Sequence, residues 1–255
     1  MSHEADDKKG MWEKETAKWV RQADIPNNRY TRLVDCIADM IARHASGGSS
    51  LDIGCGPGLL CERLAAMGMD VHGTDLAENM VAAAIARLKD SLPDAASHFR
   101  LCSDGEIPFA DMKFDLITAI QMFPYIEQYR EYIEKIKSLL KPGGLVVATN
   151  ANRRSLWVAH ELLGRAFRIP PHLRTIINLW RTGYHSGGHV NHRRARQAHC
   201  ARKFDWLWRQ AGFEVIDSLD YYHIRRLDRD PLNRRGLSRI LAKHLAWHHA
   251  GVYRL

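Results

Sequence analysis

The chain lacks any uninterrupted apolar run of membrane-spanning length among its 255 residues, since a helix needs about 20 successive apolar side chains to cross a bilayer. Its first residues, MSHEADDKKGMWEKE, are polar and acidic where a secretory leader would need an apolar stretch. These absences lead to the expectation of a cytoplasmic protein. Cysteine is scarce: Cys36, Cys55, Cys61, Cys102 and Cys200 are an odd number without paired spacing, and three lie in apolar or glycine-rich segments. Free thiols are expected, not disulfides. Internal repeats and low-complexity tracts are also missing. With 45% hydrophobic and 26% charged residues, the composition excludes a disordered or fibrous chain. The length suits a single domain with insertions spanning residues 1–255.

Acidic residues are short in one stretch only. The net charge is +8, yet Lys and Arg number 17 against 22 Asp and Glu in residues 1–150, 11 against 2 in residues 151–205, and 9 against 5 in residues 206–255. An acidic-to-neutral core thus carries a basic insertion. Such a field attracts anionic partners, whether phosphates, carboxylates, nucleic acid or an acidic membrane surface, unless it is only a solvated face.

What is present is alternation. Residues 27–44 place Tyr30, Leu33, Val34, Ile37 and Ile41 three and four apart, an amphipathic helix that the loop ASGGSS stops. Short apolar runs follow at 50–54, 69–74, 98–102, 114–120 and 145–150, separated by helical patterns such as Met80, Val81, Ala84 and Leu88. The helix carrying Ile133 and Ile136 is expected to end at Leu140, where Lys141-Pro142-Gly143-Gly144 stops it. Residues 151–205, with Pro170-Pro171 and Gly187-Gly188, break the rhythm and read as a cap over the sheet. The pattern resumes with an amphipathic segment at 204–212, a strand at 213–219 and a last apolar run, GVYRL. The expected fold is α/β, a doubly wound, mostly parallel, Rossmann-like sheet of seven strands with a basic, largely helical cap.

The first strand runs into Gly54-Cys55-Gly56-Pro57-Gly58 and then an apolar helix. Glycines there let the chain turn sharply and a ligand lie on bare backbone at a helix N-terminus, although an isolated GxGxG can be merely a tight turn. A dinucleotide site would place its third glycine at position 59, which is Leu. Asp52 precedes the loop. Asp75, at the end of the second strand, suits a ribose diol.

LDIGCGPG, eight consecutive residues, resembles the first motif of class I S-adenosylmethionine-dependent methyltransferases. GTDLAENM, CSDGEIPF, FDLITAIQMFPYIE and LKPGGLVVAT follow in the family's order. The resemblance covers residues 45–150 closely and 204–220 loosely, and barely touches the cap. It implies S-adenosylmethionine as cofactor and S-adenosylhomocysteine as product. Gly54, Gly56 and Gly58 would floor the amino-acid part of the cofactor, and Asp52 would help to hold its ammonium group. Asp75 would accept the ribose hydroxyls, with Leu76 and Met80 against the adenine. Asp104 would bond the adenine amino group beside Gly105, and Ile120 and Gln121 would close the methionyl pocket. N-terminal helices of the family often fold over the cofactor, so residues 1–46 are read as a lid with Trp12, Trp19 and Tyr30 facing inward, or else as ordinary helix packing. Residues 47–150 are then the cofactor core and 206–255 the remainder of the sheet.

Departures narrow the chemistry. Strand four ends in Gln121-Met122-Phe123-Pro124-Tyr125, not the (D/N)PP(Y/F) signature of amino-methylating nucleic-acid enzymes, and no Pro-Cys motif offers the nucleophile for carbon-5 methylation of cytosine. A nucleic-acid substrate is disfavoured. A hydroxyl acceptor would need a base, and His185 and His189 in YHSGGHVNH are the candidates among 14 histidines. With His192, His199 and Cys200 they do not complete a closed zinc set, and no metal is expected. Arg153, Arg154, Trp157 and Tyr184 are expected to bind the acceptor. The reading is methyl transfer to oxygen or nitrogen of a small anionic acceptor. Its rivals are a lipid or envelope-glycan methyltransferase docking on an acidic membrane, and a non-catalytic S-adenosylmethionine- or RNA-binding module.

Overall fold

The computed structural model describes residues 2–151, 201–221 and 248–255. Seven strands, β1 (Ser49–Ile53), β2 (Asp70–Asp75), β3 (Phe99–Leu101), β4 (Phe114–Ala119), β5 (Leu140–Ala151), β6 (Glu214–Tyr221) and β7 (His248–Arg254), form one sheet. Their order is β3-β2-β1-β4-β5-β7-β6. Strands β1 to β5 pair in parallel, and β7 runs antiparallel between β5 and β6.

The central strands are almost wholly buried because helices cover both of their faces. On one face α2 (Arg29–Ala42), α3 (Leu59–Ala66) and α4 (Glu78–Leu88) bury Val34, Ile37, Leu64 and Ala84. On the other, α6 (Tyr129–Ser138) and α7 (Ala201–Gln210) bury Ile133, Ile136, Phe204 and Trp208, the indole of Trp208 stacked 4.6 Å from the Tyr253 ring. The short α5 (Ala95–His98) leads into β3. Helix α2 is started by Asn28, whose side-chain oxygen accepts from the N–H groups of Tyr30 and Thr31 at 2.7 and 2.9 Å, satisfying donors the helix itself leaves orphaned. A further helix, α1 (Ser2–Asp24), precedes it.

One boundary differs from expectation. Helix α6 stops at Ser138, and Leu140 already belongs to β5, paired with Phe114. The ladder then skips to Leu116 against Leu145, so the Lys-Pro-Gly-Gly segment is a bulge within the strand's span, with Gly143 at a φ of +76°. Leu140 buries its side chain on the sheet, and that burial outweighs continuing the helix by one residue.

From β1 the chain moves outward through β2 and β3; from β4 it moves the other way through β5. The reversal opens a crevice at the carboxyl ends of β1 and β4, where open α/β sheets bind ligands.

Candidate functional site

That crevice is a cavity of about 230 Å³. Its floor is the glycine loop after β1. The N–H groups of Gly54 and Cys55 both donate to the Thr74 carbonyl, at 2.8 and 3.0 Å, which bends the loop across the end of β2. Gly56 has a φ of +53°, and a Cβ there would meet nothing within 4 Å. The loop therefore leaves bare backbone beside the cavity, as a closely approaching ligand requires. Gly58 does something else and is not among the lining residues. At a φ of +77° it caps α3, and a Cβ on it would stand 2.9 Å from the Cα of Ala84. Its missing side chain lets α3 approach α4.

Asp75 ties the floor to the wall. One carboxylate oxygen accepts from the Gly56 N–H at 2.9 Å and the other from the Ala77 N–H at 3.0 Å, leaving acceptor capacity for a ligand hydroxyl. Burial raises its pKa above the usual carboxylate range, against the backbone hydrogen bonds from Ala77, Gly56 and Leu76. Asp52 is more deeply set. Paired in register with Thr118 of β4, it accepts from the Thr118 hydroxyl at 2.7 Å and from the Cys61 thiol at 3.7 Å. Burial pushes its pKa up to about 7, because two neutral donors do not replace the hydration of a carboxylate. A ligand cation beside it would restore the charged form. Burial likewise raises the Tyr30 phenol and the Cys55 and Cys61 thiols, so none of them is an anion at neutral pH.

The far wall follows β4. Gln121 is one of two non-glycine residues with positive φ among the described residues, at +58°, and its N–H donates to the Thr149 hydroxyl at 2.6 Å. Such backbone strain needs support, and Thr149, fully buried on β5, supplies it. Ile120, Gln121, Met122 and Tyr125 line this side, and Asp104 and Gly105 the side after β3.

Helix α1 roofs the cavity. Trp12 and Trp19 are seven residues apart, two turns, and so share a face; both line the cavity. Trp12 meets the edge of Tyr125 at 5.3 Å and Trp19 that of Tyr30 at 5.2 Å. The Trp19 indole nitrogen is buried and has no hydrogen-bond partner among the described residues. The helix is pinned at its middle and at its C-terminal end. Glu13 accepts from the N–H groups of Glu78 and Asn79 at the start of α4, at 2.7 and 3.2 Å, and Asp24 pairs with Arg87 at 2.6 Å.

The structure thus brings together Asp52, Gly54, Gly56, Asp75, Leu76, Met80, Asp104, Gly105, Ile120, Gln121 and Tyr30, and leaves out only Gly58 of the residues expected to hold the cofactor. His185, His189, Arg153, Arg154, Trp157 and Tyr184 lie outside the described residues. Among the lining residues that sequence reasoning missed are Met122, Tyr125 and Tyr132; the first two follow Gln121 in the FDLITAIQMFPYIE motif, which is the signal that could have found them. It also missed Glu13, for which no sequence signal existed.

The methyltransferase domain family matches residues 26–218. The chain belongs to that family, the class I S-adenosylmethionine-dependent methyltransferases that its motifs resemble. Two ubiquinone biosynthesis O-methyltransferases are similar in sequence. The one from Cereibacter sphaeroides is 32% identical over 114 residues, 45% of either chain, and the one from Chelativorans sp. is 33% identical over 126 residues, 49% of either chain. The alignment spans about half the length of these curated relatives. The fold is shared with magnesium protoporphyrin IX methyltransferase from Synechocystis PCC 6803 with bound S-adenosylhomocysteine, at a TM-score of 0.63 and 15% identity over 96% of this chain and 97% of that one. It is also shared with PH0226 from Pyrococcus horikoshii OT3, at a TM-score of 0.57 and 16% identity, covering 91% and 93% of the two chains. No helix among the described residues is long and apolar enough to cross a membrane.

Proposed function

We propose that this chain transfers the methyl group of S-adenosylmethionine to an oxygen of a small anionic acceptor. The observation that carries the proposal is the convergence of the motif residues on one cavity whose groups match the cofactor piece by piece. The bare backbone at Gly56 cradles the amino-acid tail. Asp52 faces its ammonium group, Asp75 accepts the ribose hydroxyls, and Asp104 takes the adenine amino group. The orphaned Trp19 N–H gains an acceptor from the bound ligand.

The cofactor, when bound, supplies a methyl group already activated by the adjacent sulfonium. The protein's own part is to align the acceptor and keep water away. Alignment alone can contribute roughly 7–11 kcal/mol, and the α1 roof with its two indoles excludes solvent on one side. The named activity of the similar O-methyltransferases favours oxygen over nitrogen as the acceptor. A hydroxyl acceptor needs its proton removed, and His185 and His189 are the candidate bases. The excess of 11 basic over 2 acidic residues in 151–205 favours an anion, because desolvating so many cations without a counter-ion would be costly. Arg153 and Arg154, next after the carboxyl end of β5, are assigned to hold it, with Trp157 and Tyr184 as apolar walls.

Methyl-labelled S-adenosylmethionine offered with paired phenols, with and without a carboxylate, tests this directly. Label should enter the carboxylated phenol preferentially, Arg153→Ala or Arg154→Ala should raise its KM several-fold while leaving S-adenosylhomocysteine affinity intact, and salt should mimic that effect. Equal use of both phenols, unaffected by salt or either substitution, would overturn the anionic acceptor. Transfer only in the presence of anionic vesicles would point to a lipid acceptor, and binding with no transfer to any acceptor to a non-catalytic module.

A further inference from the structure

At the opposite end of β2 from the cavity, Asp70, His72 and His98 each offer a ligand atom within 4.8 Å of the other two. Asp70 begins the strand that Asp75 ends, so roughly 17 Å separate this cluster from the ribose-binding carboxylate. His72 is only 6% exposed. Its Nδ1 is buried and has no hydrogen-bond partner among the described residues. Buried polar atoms are normally paired, and a metal ion is one partner that would satisfy this nitrogen.

His98 lies stacked on His72, the ring centroids 4.4 Å apart and the planes 19° from parallel. Its Nδ1 is 3.0 Å from the Val71 carbonyl and 3.4 Å from an Asp70 carboxylate oxygen, and its Nε2 is 3.3 Å from Asp94. One ring thus has acceptors on both nitrogens, a concentration of negative and lone-pair density that calls for a cation. Two tetrahedral ligands on zinc, each about 2.1 Å from the ion, stand roughly 3.4 Å apart, the separation already present between Asp70 and His98.

We propose that Asp70, His72 and His98 form a binding site for a divalent transition metal of the zinc type, with water completing the tetrahedron on the exposed Asp70 side. Binding turns His98 out of its stack, so that Nδ1 moves from the Val71 carbonyl to the metal. Nε2–H then donates to Asp94, a carboxylate that orients the ligating ring. Two imidazoles and one carboxylate select zinc, cobalt or nickel over magnesium or calcium. The distance from the cavity makes the role structural: the metal clamps α5 and β3 to the start of β2.

Cobalt(II) and zinc titrations of the chelator-treated full chain test the proposal, read by visible absorption and by calorimetry. The expected result is a site of one ion per chain with a tetrahedral cobalt spectrum, lost in Asp70→Asn and in His98→Ala. Asp94→Asn should weaken it about tenfold. All three positions are at the surface or partly so, and these variants should fold; thermal melts check this. Zinc should raise the melting temperature of the parent without altering S-adenosylhomocysteine affinity. A His185→Ala, His189→Ala double variant should keep the site. Absence of saturable binding, or binding that survives Asp70→Asn and His98→Ala, would overturn the proposal.

Discussion

Two glycines of one motif separate ligand binding from folding. Gly56 and Gly58 are both in the left-handed region, but a Cβ at 56 meets open space beside the cavity whereas one at 58 meets the α4 backbone at 2.9 Å. Either alanine carries the left-handed penalty of about 1–2 kcal/mol. Gly58→Ala adds a backbone clash, so its melting temperature should fall distinctly further, whereas Gly56→Ala should show the larger loss of S-adenosylhomocysteine affinity per degree lost. Melts and calorimetry on the two variants decide; the reverse ranking would mean that the loop does not carry the ligand. Asp52 gives a pH signature. With a pKa of about 7 in the free protein, it must give up a proton to meet an ammonium group. Affinity should therefore weaken by up to tenfold for each pH unit below 7 and be flat above it. For stability the sign is opposite, because a carboxyl whose folded pKa is raised favours the folded state most below its unfolded pKa and loses that contribution as pH rises toward 7. Asp52→Asn should flatten the affinity profile between pH 5 and 7, and an unchanged profile would show that another group titrates.

The lid is the element most open to perturbation. Helix α4 begins after Ala77, which has no side-chain cap, and the carboxylate that fills this role comes from Glu13 of α1. A cap is worth about 1 kcal/mol, and here the same bonds hold the roof shut. Glu13→Ala should lower the melting temperature modestly and speed S-adenosylhomocysteine release several-fold in stopped-flow fluorescence of Trp12 and Trp19, with Glu13→Gln intermediate. Unaltered release would mean that the α1–α4 contact does not gate the site. This contact was illegible beforehand, since a side chain capping a helix 65 residues away leaves no local pattern. The strands were legible, because short apolar runs between turn residues, alternating with helical patterns, admit few alternatives. The start of β5 was misplaced because Pro142 and the glycines signalled a stop, and only the pairing of Leu140 with Phe114 reveals that the chain had already entered the sheet.

For the whole molecule, the glycine loop, Asp52, Asp75 and the end of β4 were readable because each is both a local conformational requirement and part of a motif in order. Gly58 belonged to the same motif yet serves packing, a distinction that needs the neighbouring helix in view. Nor could residue spacing bring Asp70 and His72 to His98, which are neighbours only because β2 and β3 pair. The family, the crevice at the sheet's reversal and the indole roof all bear on one claim, that an adenosyl cofactor lies between Asp75 and the glycine loop. Calorimetric titration of S-adenosylhomocysteine into the parent chain and into Asp75→Ala, with the fold of each verified by circular dichroism, tests it most directly. One saturable site that Asp75→Ala weakens by about 1.5–3 kcal/mol, the worth of hydrogen bonds to a charged group, is the predicted result; no saturable binding, or a dissociation constant unchanged by the substitution, would contradict it.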